Sequence, residues 1–224
     1  MATLLHTDSA RERDAERSRT DILDAAERLF ALRGFEKSSL QEIGTAAGLS
    51  RGAPAYFFGS KQQLYDEVLR RCYGRARDAV RAGLARTQSR AAEPAAILAG
   101  AVADYFDFLT ANADFVRLVE WEALAGQGAL AGHPLHAEAL GEALAALAAE
   151  LGAPAPGSDV TAHLLLSILA LCWFPIIHAR TLLPRLGLDP DDPAFREARR
   201  QHVTALILRG AAVGEAPSLS SRSA

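Results

Sequence analysis

One short segment, residues 39–61, mixes side-chain types that together suit contact with an anionic partner. Serine hydroxyls, one arginine and one lysine lie there among three consecutive aromatic rings, Tyr56, Phe57 and Phe58. Cations and hydroxyls bind phosphate oxygens, whereas polar and apolar side chains can read the edges of nucleic-acid bases. A wholly buried helix would not carry this mixture. The segment therefore predicts a surface that meets another molecule.

Catalytic and metal-binding patterns are weak in the rest of the sequence. It has no Ser–His–Asp spacing, no phosphate-binding glycine loop and no carboxylate pair in an evident loop. His163 and His178 are 15 positions apart, which is roughly 22 Å along a helix, so they cannot share an ion. His133 and His136 have tolerable spacing, with Glu138 as a conceivable ligand, but no third ligand stands at a diagnostic position. We expect neither catalysis nor a metal or other cofactor.

The elements that position the segment are predicted to be helices. Ile22, Ala26 and Phe30 recur along one helical face of the preceding stretch. Residues 39–42 (SLQE) and 60–63 (SKQQ) both have the capping-box pattern, in which a serine and a Glu or Gln three positions later satisfy each other's backbone N–H groups. Alternating strand patterns and hairpin turns are missing from the sequence. The fold class is therefore predicted to be all-α.

Two capped helices joined by a tight, glycine-containing turn predict a helix-turn-helix. The second helix, expected at residues 51–58, would lie in the major groove of DNA with its N-terminal residues nearest the bases. Phe58 is expected to point inward and hold this helix on the first one, and Tyr56 to point outward. The expected DNA-binding residues are Ser39, Gln41, Ser50, Arg51, Gly52, Ala53, Tyr56, Phe57 and Lys61.

An ordered set of positions spans residues 19–65: Ile22-Leu23, Ala25-Ala26, Leu29-Phe30, Gly34-Phe35, Ile43, Ala47-Gly48, Ser50, Gly52, Phe58, Ser60-Lys61 and Leu64. This set resembles the DNA-binding domain of the TetR family of transcriptional regulators. The chain departs from that family's pattern at Ala55, where many members have a phosphate-contacting tyrosine, and at Phe57, where His or Tyr is common. Tyr56 can take over a phosphate contact, whereas Phe57 cannot donate a hydrogen bond as His would.

The resemblance implies an N-terminal three-helix helix-turn-helix domain followed by a C-terminal helical domain that binds a ligand and dimerises through its last two long helices. Helical patterns place those two helices at about 159–182 and 193–213, after earlier candidates near 74–90, 94–111, 113–125 and 135–152. In the last helix, Arg196, Arg199 and Arg200 are expected to face outward. The predicted domains are a disordered tail at 1–15, a helix-turn-helix domain at 16–73, an effector-binding and dimerisation domain at 74–213, and a disordered tail at 214–224.

Charge and composition fit this division. Residues 1–90 carry 16 Lys+Arg against 12 Asp+Glu, whereas residues 91–224 carry 8 against 15, so a net charge of +4 precedes one of −7. A basic first part can approach an anion.

The two cysteines share no redox or metal spacing and no export signal is evident, which favours a reduced, cytoplasmic protein. The most apolar run, residues 164–177, is shorter than a membrane span of about 20 residues, so no membrane contact is expected.

Candidate contacts for a small-molecule effector are aromatic and apolar residues with a few polar groups beside them, the usual lining of a ligand pocket. Each of them also suits a plain packing role in a helical core. The candidates are Tyr105, Phe106, Phe115, Leu118, Trp121, Glu122, Trp173, Phe174 and His178.

The leading hypothesis is a DNA-binding regulator that binds a palindromic operator as a homodimer and is released by a small-molecule effector of unknown identity, with repression implied by the resemblance. Two alternatives remain open. A sequence-indifferent architectural protein would bind random and operator DNA equally. An all-α enzyme would turn over a substrate without binding DNA.

Overall fold

The structure is a computed structural model that describes residues 2–88, 94–125, 141, 145 and 159–212. These residues form helices and turns without any strand, which confirms the all-α prediction. The helix expected at 135–152, the His133–His136 pair and the tail after residue 214 lie outside the described residues, apart from positions 141 and 145, which are helical. The described residues separate into two compact units.

Unit 1 contains residues 2–75 and a helix from later in the chain. Its helices are α1 (Ala2–Arg33), α2 (Leu40–Ala46), α3 (Ala53–Phe58), the first half of α4 (Lys61–Gln88), and α6 (Ala113–Ala125). Unit 2 contains residues 76–88, 94–112 and 159–212. Its further helices are α5 (Pro94–Ala111), α7 (Asp159–Ile177), a 3-10 turn (Leu183–Leu186) and α8 (Pro193–Ala212).

Four helix boundaries differ from those expected. α7 ends at Ile177, where the sequence placed its end near residue 182, and residues 178–182 form a turn. α1 begins at Ala2, where a disordered tail to residue 15 was predicted; alanine, arginine and glutamate are good helix formers, and they continue the helix N-terminally. α3 begins at Ala53 because residues 50–52 form the turn before it. α4 is one helix where two were expected, since Gly74 is tolerated inside it.

The core of unit 1 forms where α1, α2 and α4 meet. Ile22, Phe30, Ile43 and Leu64 are fully buried. The ring of Tyr65 packs edge-on against Phe30, with the ring centroids 4.9 Å apart. The apolar face of α1 predicted from the sequence is therefore the face that packs against α2 and α4.

Helix α6 packs on α1 although it follows α5 in sequence, so the structure groups it with unit 1 where the sequence assigned it to the C-terminal domain. The indole N–H of Trp121 donates to the carbonyl of Ala31 at 3.1 Å. The Trp121 ring also lies against Gly34, where an added Cβ would meet it at 3.3 Å. Gly34 has φ +76°, the left-handed conformation that ends α1. These long-range contacts leave no local sequence signal.

In unit 2, α5, α7 and α8 pack against one another. Val102 and Leu109 of α5, Cys172 of α7, and Val203 and Ile207 of α8 are buried. The observed bounds of α5, Pro94–Ala111, confirm the prediction for that helix. The acidic side chain of Asp107 pairs with Arg200 at 3.6 Å, and this contact joins α5 to α8 at the surface.

Arg199 of α8 does not face outward, as the sequence had suggested. Its guanidinium Nη2 donates to the carbonyl of Leu171 at 3.1 Å. That carbonyl is the one that an N–H at position 175 would bind in a regular α-helix, but Pro175 has no N–H to donate. Arg199 therefore satisfies the acceptor that the proline leaves open, and it ties α8 to α7.

This arrangement predicts coupling between Arg199 and Pro175. We expect Arg199→Met to destabilise the protein by about 1–3 kcal/mol, because a part-buried carbonyl loses its donor. In the Pro175→Ala background the restored N–H satisfies Leu171, so the same substitution should cost clearly less. Urea unfolding of the four proteins of this double-mutant cycle measures the difference. Equal costs in both backgrounds would show that Arg199 does not compensate for Pro175.

Helix α7 exposes one apolar face. The stretch Val160–Ile177 has 18 residues and a mean hydropathy of 2.1, so by length and composition it could cross a membrane. The run identified from the sequence, residues 164–177, is too short to do so. Only 22% of this stretch is buried. The exposed positions recur every three or four residues, which places them on one side of the helix. Its large exposed side chains are Val160, Leu166, Phe174 and Ile177.

Candidate DNA-binding site

The crossing of α2 and α3 is set by a close backbone approach at Gly44. A Cβ at Gly44 would lie 2.6 Å from the carbonyl oxygen of Ser50, 3.0 Å from Cδ of Pro54 and 3.2 Å from Cα of Arg51. Only glycine permits this distance. The N–H of Leu49 closes the turn by donating to the Gly44 carbonyl at 2.9 Å. The α2–turn–α3 unit is therefore held at a fixed geometry.

Both predicted capping boxes are confirmed. Ser39 Oγ accepts from the N–H of Glu42 at 3.2 Å, and the Glu42 carboxylate accepts from the N–H of Ser39 at 3.1 Å. Ser60 and Gln63 make the same reciprocal pair at the start of α4. Arg33 of α1 binds the Glu42 carboxylate at 3.1 Å. These hydroxyls thus fix the helix starts.

The C-terminal end of α3 is held by Arg19 of α1. The Arg19 guanidinium donates to the carbonyl of Phe57 at 3.2 Å and lies over the ring of Phe58, 4.4 Å from its centroid. Phe58 is 9% exposed, which confirms that it points inward. A cation near the last carbonyls of a helix is favoured by the helix dipole. Arg19 was missed from the sequence because its partners lie 38 or more positions away.

Lys61 is engaged inside the protein. Its ammonium donates to the carbonyls of Phe35 at 3.0 Å, Glu36 at 3.5 Å and Ser38 at 3.2 Å. It also lies 4.2 Å from the centre of the Phe35 ring, a cation–π contact. Three donors are thus used on the turn between α1 and α2. The expected phosphate contact from Lys61 would require these bonds to be exchanged or shared.

The outward surface of the helix-turn-helix carries the remaining donors. Arg51 is exposed and Tyr56 is 85% exposed, so Tyr56 is not a core ring. Within the described chain, the side chains of Arg51, Tyr56, Gln41 and Ser50 form no hydrogen bond with another residue. Gly52 is also exposed, with open space where a Cβ would stand. Of the nine expected DNA-binding residues, these five are the most available to a partner.

A buried ion cluster joins α1 to α4 behind this surface. The carboxylate of Glu27, 9% exposed, accepts from Arg71 at 2.6 Å and from Arg75. Burial alone raises the pKa of Glu27, but the two guanidinium groups outweigh it and hold that pKa below its ordinary value. The neighbouring thiol of Cys72 is buried and its pKa is raised to about 12, so it stays protonated and unreactive.

Four of the expected effector residues lie in unit 1 and have packing roles there. Phe115 and Leu118 are buried in the core. Trp121 covers Gly34, as described above, and the Glu122 carboxylate accepts a hydrogen bond from the buried hydroxyl of Tyr65. Burial and the adjacent carboxylate raise the pKa of Tyr65, so its hydroxyl stays protonated.

The other five lie in unit 2. The indole N–H of Trp173 donates to the hydroxyl of Tyr105 at 2.6 Å, a part-buried bond between α7 and α5. Phe106 is buried, whereas Phe174 is 48% exposed and its ring lies 4.3 Å from that of His178. Trp173 and Tyr105 are thus a matched polar pair among apolar neighbours.

Known proteins resemble this chain, some over most of its length and others over its first part. The HTH-type transcriptional repressor NicS of Pseudomonas putida is 31% identical over 206 residues, covering 89% of this chain and 95% of that protein. The HTH-type transcriptional repressor KstR2 of Rhodococcus jostii is 39% identical over 70 residues, 30% of this chain and 34% of that protein. The structure of the ketosteroid transcriptional regulator KstR2 of Mycobacterium tuberculosis has the same fold, with a TM-score of 0.63 at 21% identity, covering 86% of this chain and 93% of that one.

Two family models match the sequence. The model described as bacterial regulatory proteins, tetR family, matches residues 22–68, the stretch that holds the helix-turn-helix. The model described as tetracyclin repressor-like, C-terminal domain, matches residues 94–207. Together with the NicS relationship, these matches confirm the resemblance found from the motifs. The chain belongs to the TetR family of DNA-binding transcriptional regulators, which are not enzymes.

Proposed function

We propose that this regulator is a cytoplasmic repressor that binds a palindromic operator as a homodimer and releases it when a small molecule occupies the C-terminal domain. The observation that carries the proposal is the surface formed by Arg51, Tyr56, Gln41 and Ser50. Their donors are unpaired within the described residues and are exposed on a helix-turn-helix whose first helix, α2, starts at a capping box. Such donors suit phosphate and base contacts in a major groove.

The exposed apolar face of α7 supports a homodimer. Its opposite face, with Ile168, Cys172 and Pro175, is buried within unit 2, so the helix is two-sided rather than apolar and exposed all round. Leu206 of α8 is also 37% exposed. A second copy that covered this face would bury it without a membrane. A two-fold dimer would present two recognition helices to successive major grooves, about 34–36 Å apart, and so read a near-palindrome.

For the effector, the part-buried Tyr105–Trp173 pair offers the best-defined contacts. An apolar molecule with one hydrogen-bonding group could pack beside Trp173 and Phe174 and replace or extend the bond to Tyr105. To release DNA, the effector has to bind the DNA-incompetent conformation more tightly, because equal affinity for both conformations shifts neither. α4 is the continuous helix whose residues belong to both units, and it is the chain path for such a change.

Arg51 provides the most direct test of the proposed DNA contact. We expect Arg51→Ala to lower affinity for the operator by about tenfold or more, because it removes a long, exposed donor from the DNA-facing turn. Fluorescence anisotropy on an operator selected from a random DNA pool, at several salt concentrations, measures this. If Arg51 contacts a phosphate, its removal should also lower the salt slope by about one; if it contacts a base, its removal should relax specificity at one position.

Arg117→Ala is the matched control, because it removes the same charge from an exposed arginine of unit 1 whose one ion pair with a described residue is the local pair with Asp114. It should leave operator affinity unchanged. Equal loss from both variants would indicate a general charge effect. Equal affinity of the wild-type protein for operator and random DNA would support the architectural alternative and reject the repressor.

A further inference from the structure

The recognition helix α3 is unusually poor in hydrogen-bonding side chains. Its six residues are Ala53, Pro54, Ala55, Tyr56, Phe57 and Phe58, and the Tyr56 hydroxyl is the only polar side-chain group among them. Pro54 and Phe58 are buried, which leaves two alanines and two rings on the side that DNA would meet. Bidentate hydrogen bonds to adenine or guanine cannot come from this helix.

The two outer rings form a defined pair. The centroids of Tyr56 and Phe57 are 5.2 Å apart, with the rings at 86° to each other. Neighbouring residues on a helix normally point away from each other, so this edge-to-face contact needs specific rotamers on both side chains. Phe57 is half-buried, and its carbonyl is held by Arg19 at 3.2 Å. Phe57 therefore supports the exposed ring of Tyr56 from a fixed backbone.

An apolar surface in the major groove has one distinctive base feature to contact, the C5-methyl group of thymine. Tyr56 presents ring edge and face to solvent over 85% of its surface. The residues one helical turn before Tyr56 are Gly52 and Ala53, which are too small to obstruct the ring on its N-terminal side. Arg51, just before the helix, is the long donor that can read guanine or bind phosphate.

We propose that Tyr56 determines specificity by packing against thymine methyl groups in each operator half-site, and that Phe57 is a positioning residue that holds the Tyr56 ring for this contact. This inference rests on the proposed function as an operator-binding regulator. Under this proposal, the side chains of α3 recognise bases by apolar contact, and the turn before α3 recognises them by hydrogen bonds.

The test uses the full-length protein and an operator obtained by selection from a random DNA pool. Each thymine of one half-site is replaced in turn by deoxyuridine, which removes only the methyl group. For the wild-type protein we expect one or two positions at which this change weakens binding about fourfold, the factor associated with burying one such carbon group. Tyr56→Ala should bind the thymine and deoxyuridine operators equally, whereas Tyr56→Phe should keep the discrimination.

Phe57 is tested by the ratio of the affinity for the thymine operator to the affinity for the deoxyuridine operator. A variant that merely folds less well would lower both affinities and leave this ratio unchanged. Phe57→Ala should reduce the deoxyuridine discrimination toward one, and Phe57→Tyr, which retains the ring, should restore it. Two results would overturn this inference while leaving the proposed function intact. In one, an operator is enriched but no deoxyuridine substitution weakens its binding. In the other, Tyr56→Ala still binds the thymine operator more tightly than the deoxyuridine operator. If selection enriches no sequence, the proposed function fails together with this inference.

Discussion

Replacing Gly44 with alanine is expected to disrupt the helix-turn-helix and remove most operator binding. The new Cβ would stand 2.6 Å from the Ser50 carbonyl oxygen, a backbone atom that cannot rotate away. α3 would have to move from α2, at a cost of about 1–3 kcal/mol, the range found for overpacked sites. The displaced helix would also lose its register in the groove, and each lost base contact costs about 1–3 kcal/mol. Thermal unfolding and anisotropy on the selected operator measure both effects.

Gly74→Ala is the matched control for this prediction. Gly74 lies within α4, and an added Cβ there meets no atom within 4 Å. Alanine is the better helix former, so this variant should gain about 0.5–1 kcal/mol. Gly44 is also inside a helix and would gain similarly if space allowed. If Gly44→Ala destabilises the protein and Gly74→Ala stabilises it, the close contact at Gly44 is the cause of the difference. If both variants stabilise the protein, the close contact has no energetic cost and the prediction is wrong.

Features of the site that depend on neighbours in sequence were predictable. The two capping boxes follow from serines three positions before Glu42 and Gln63, and both are present. The inward position of Phe58 and the outward one of Tyr56 follow from a short helix that can bury only one side. The family could be recognised for the same reason, since its motifs are local.

Features that depend on contacts between distant segments were not predictable. Lys61 was expected to contact a phosphate, but its ammonium already donates to backbone carbonyls in the turn at residues 35–38. The helical periodicity of the sequence does not predict such a backbone partner. Arg199 was placed outward by its helical position, yet its length allows the guanidinium to reach the carbonyl freed by Pro175. The packing of α6 on α1 depends on the fit of Trp121 over Gly34. In each case a long side chain or a close approach decides the outcome.

A division of roles within unit 1 follows from these contacts. Arg19 and Lys61 donate to carbonyls of the protein's own backbone, and the cap serines accept from backbone N–H groups, so these side chains fix the helices and have little left for DNA. Arg51 and Tyr56 make no such bonds within the described residues and are available for reading. Substitutions in the first group should therefore lower stability and binding together, and those in the second should lower binding alone.

Glu27→Gln is expected to cause a large loss of stability in unit 1. The Glu27 side chain is 11% exposed and binds both Arg71 and Arg75, so its neutralisation leaves two guanidinium groups without their shared anion. Breaking a buried pair from one side costs about 3–5 kcal/mol. We expect about 2–4 kcal/mol, because both arginines keep part of their surface in water. Urea unfolding at neutral pH measures the difference.

Asp24→Asn is the control for this prediction. Asp24 also binds Arg71, at 2.7 Å, but its side chain is 46% exposed. A solvent-exposed pair contributes about 0–1 kcal/mol, so this variant should differ little from the wild type. Similar losses from Asp24→Asn and Glu27→Gln would show that burial does not distinguish the two carboxylates.

The Glu27 prediction also has a pH dependence with a definite sign. Because Arg71 and Arg75 hold the pKa of Glu27 below its ordinary value of about 4.3, the folded state favours the charged form. The resulting stabilisation is complete above that ordinary pKa and is lost as the pH falls through the lower folded-state pKa. The difference in unfolding free energy between wild type and Glu27→Gln should therefore be constant from about pH 6 to 8, in the range of about 2–4 kcal/mol given above, and shrink in acid below about pH 4. A difference that stays the same across that acid range would mean that the Glu27→Gln variant loses packing geometry rather than charge.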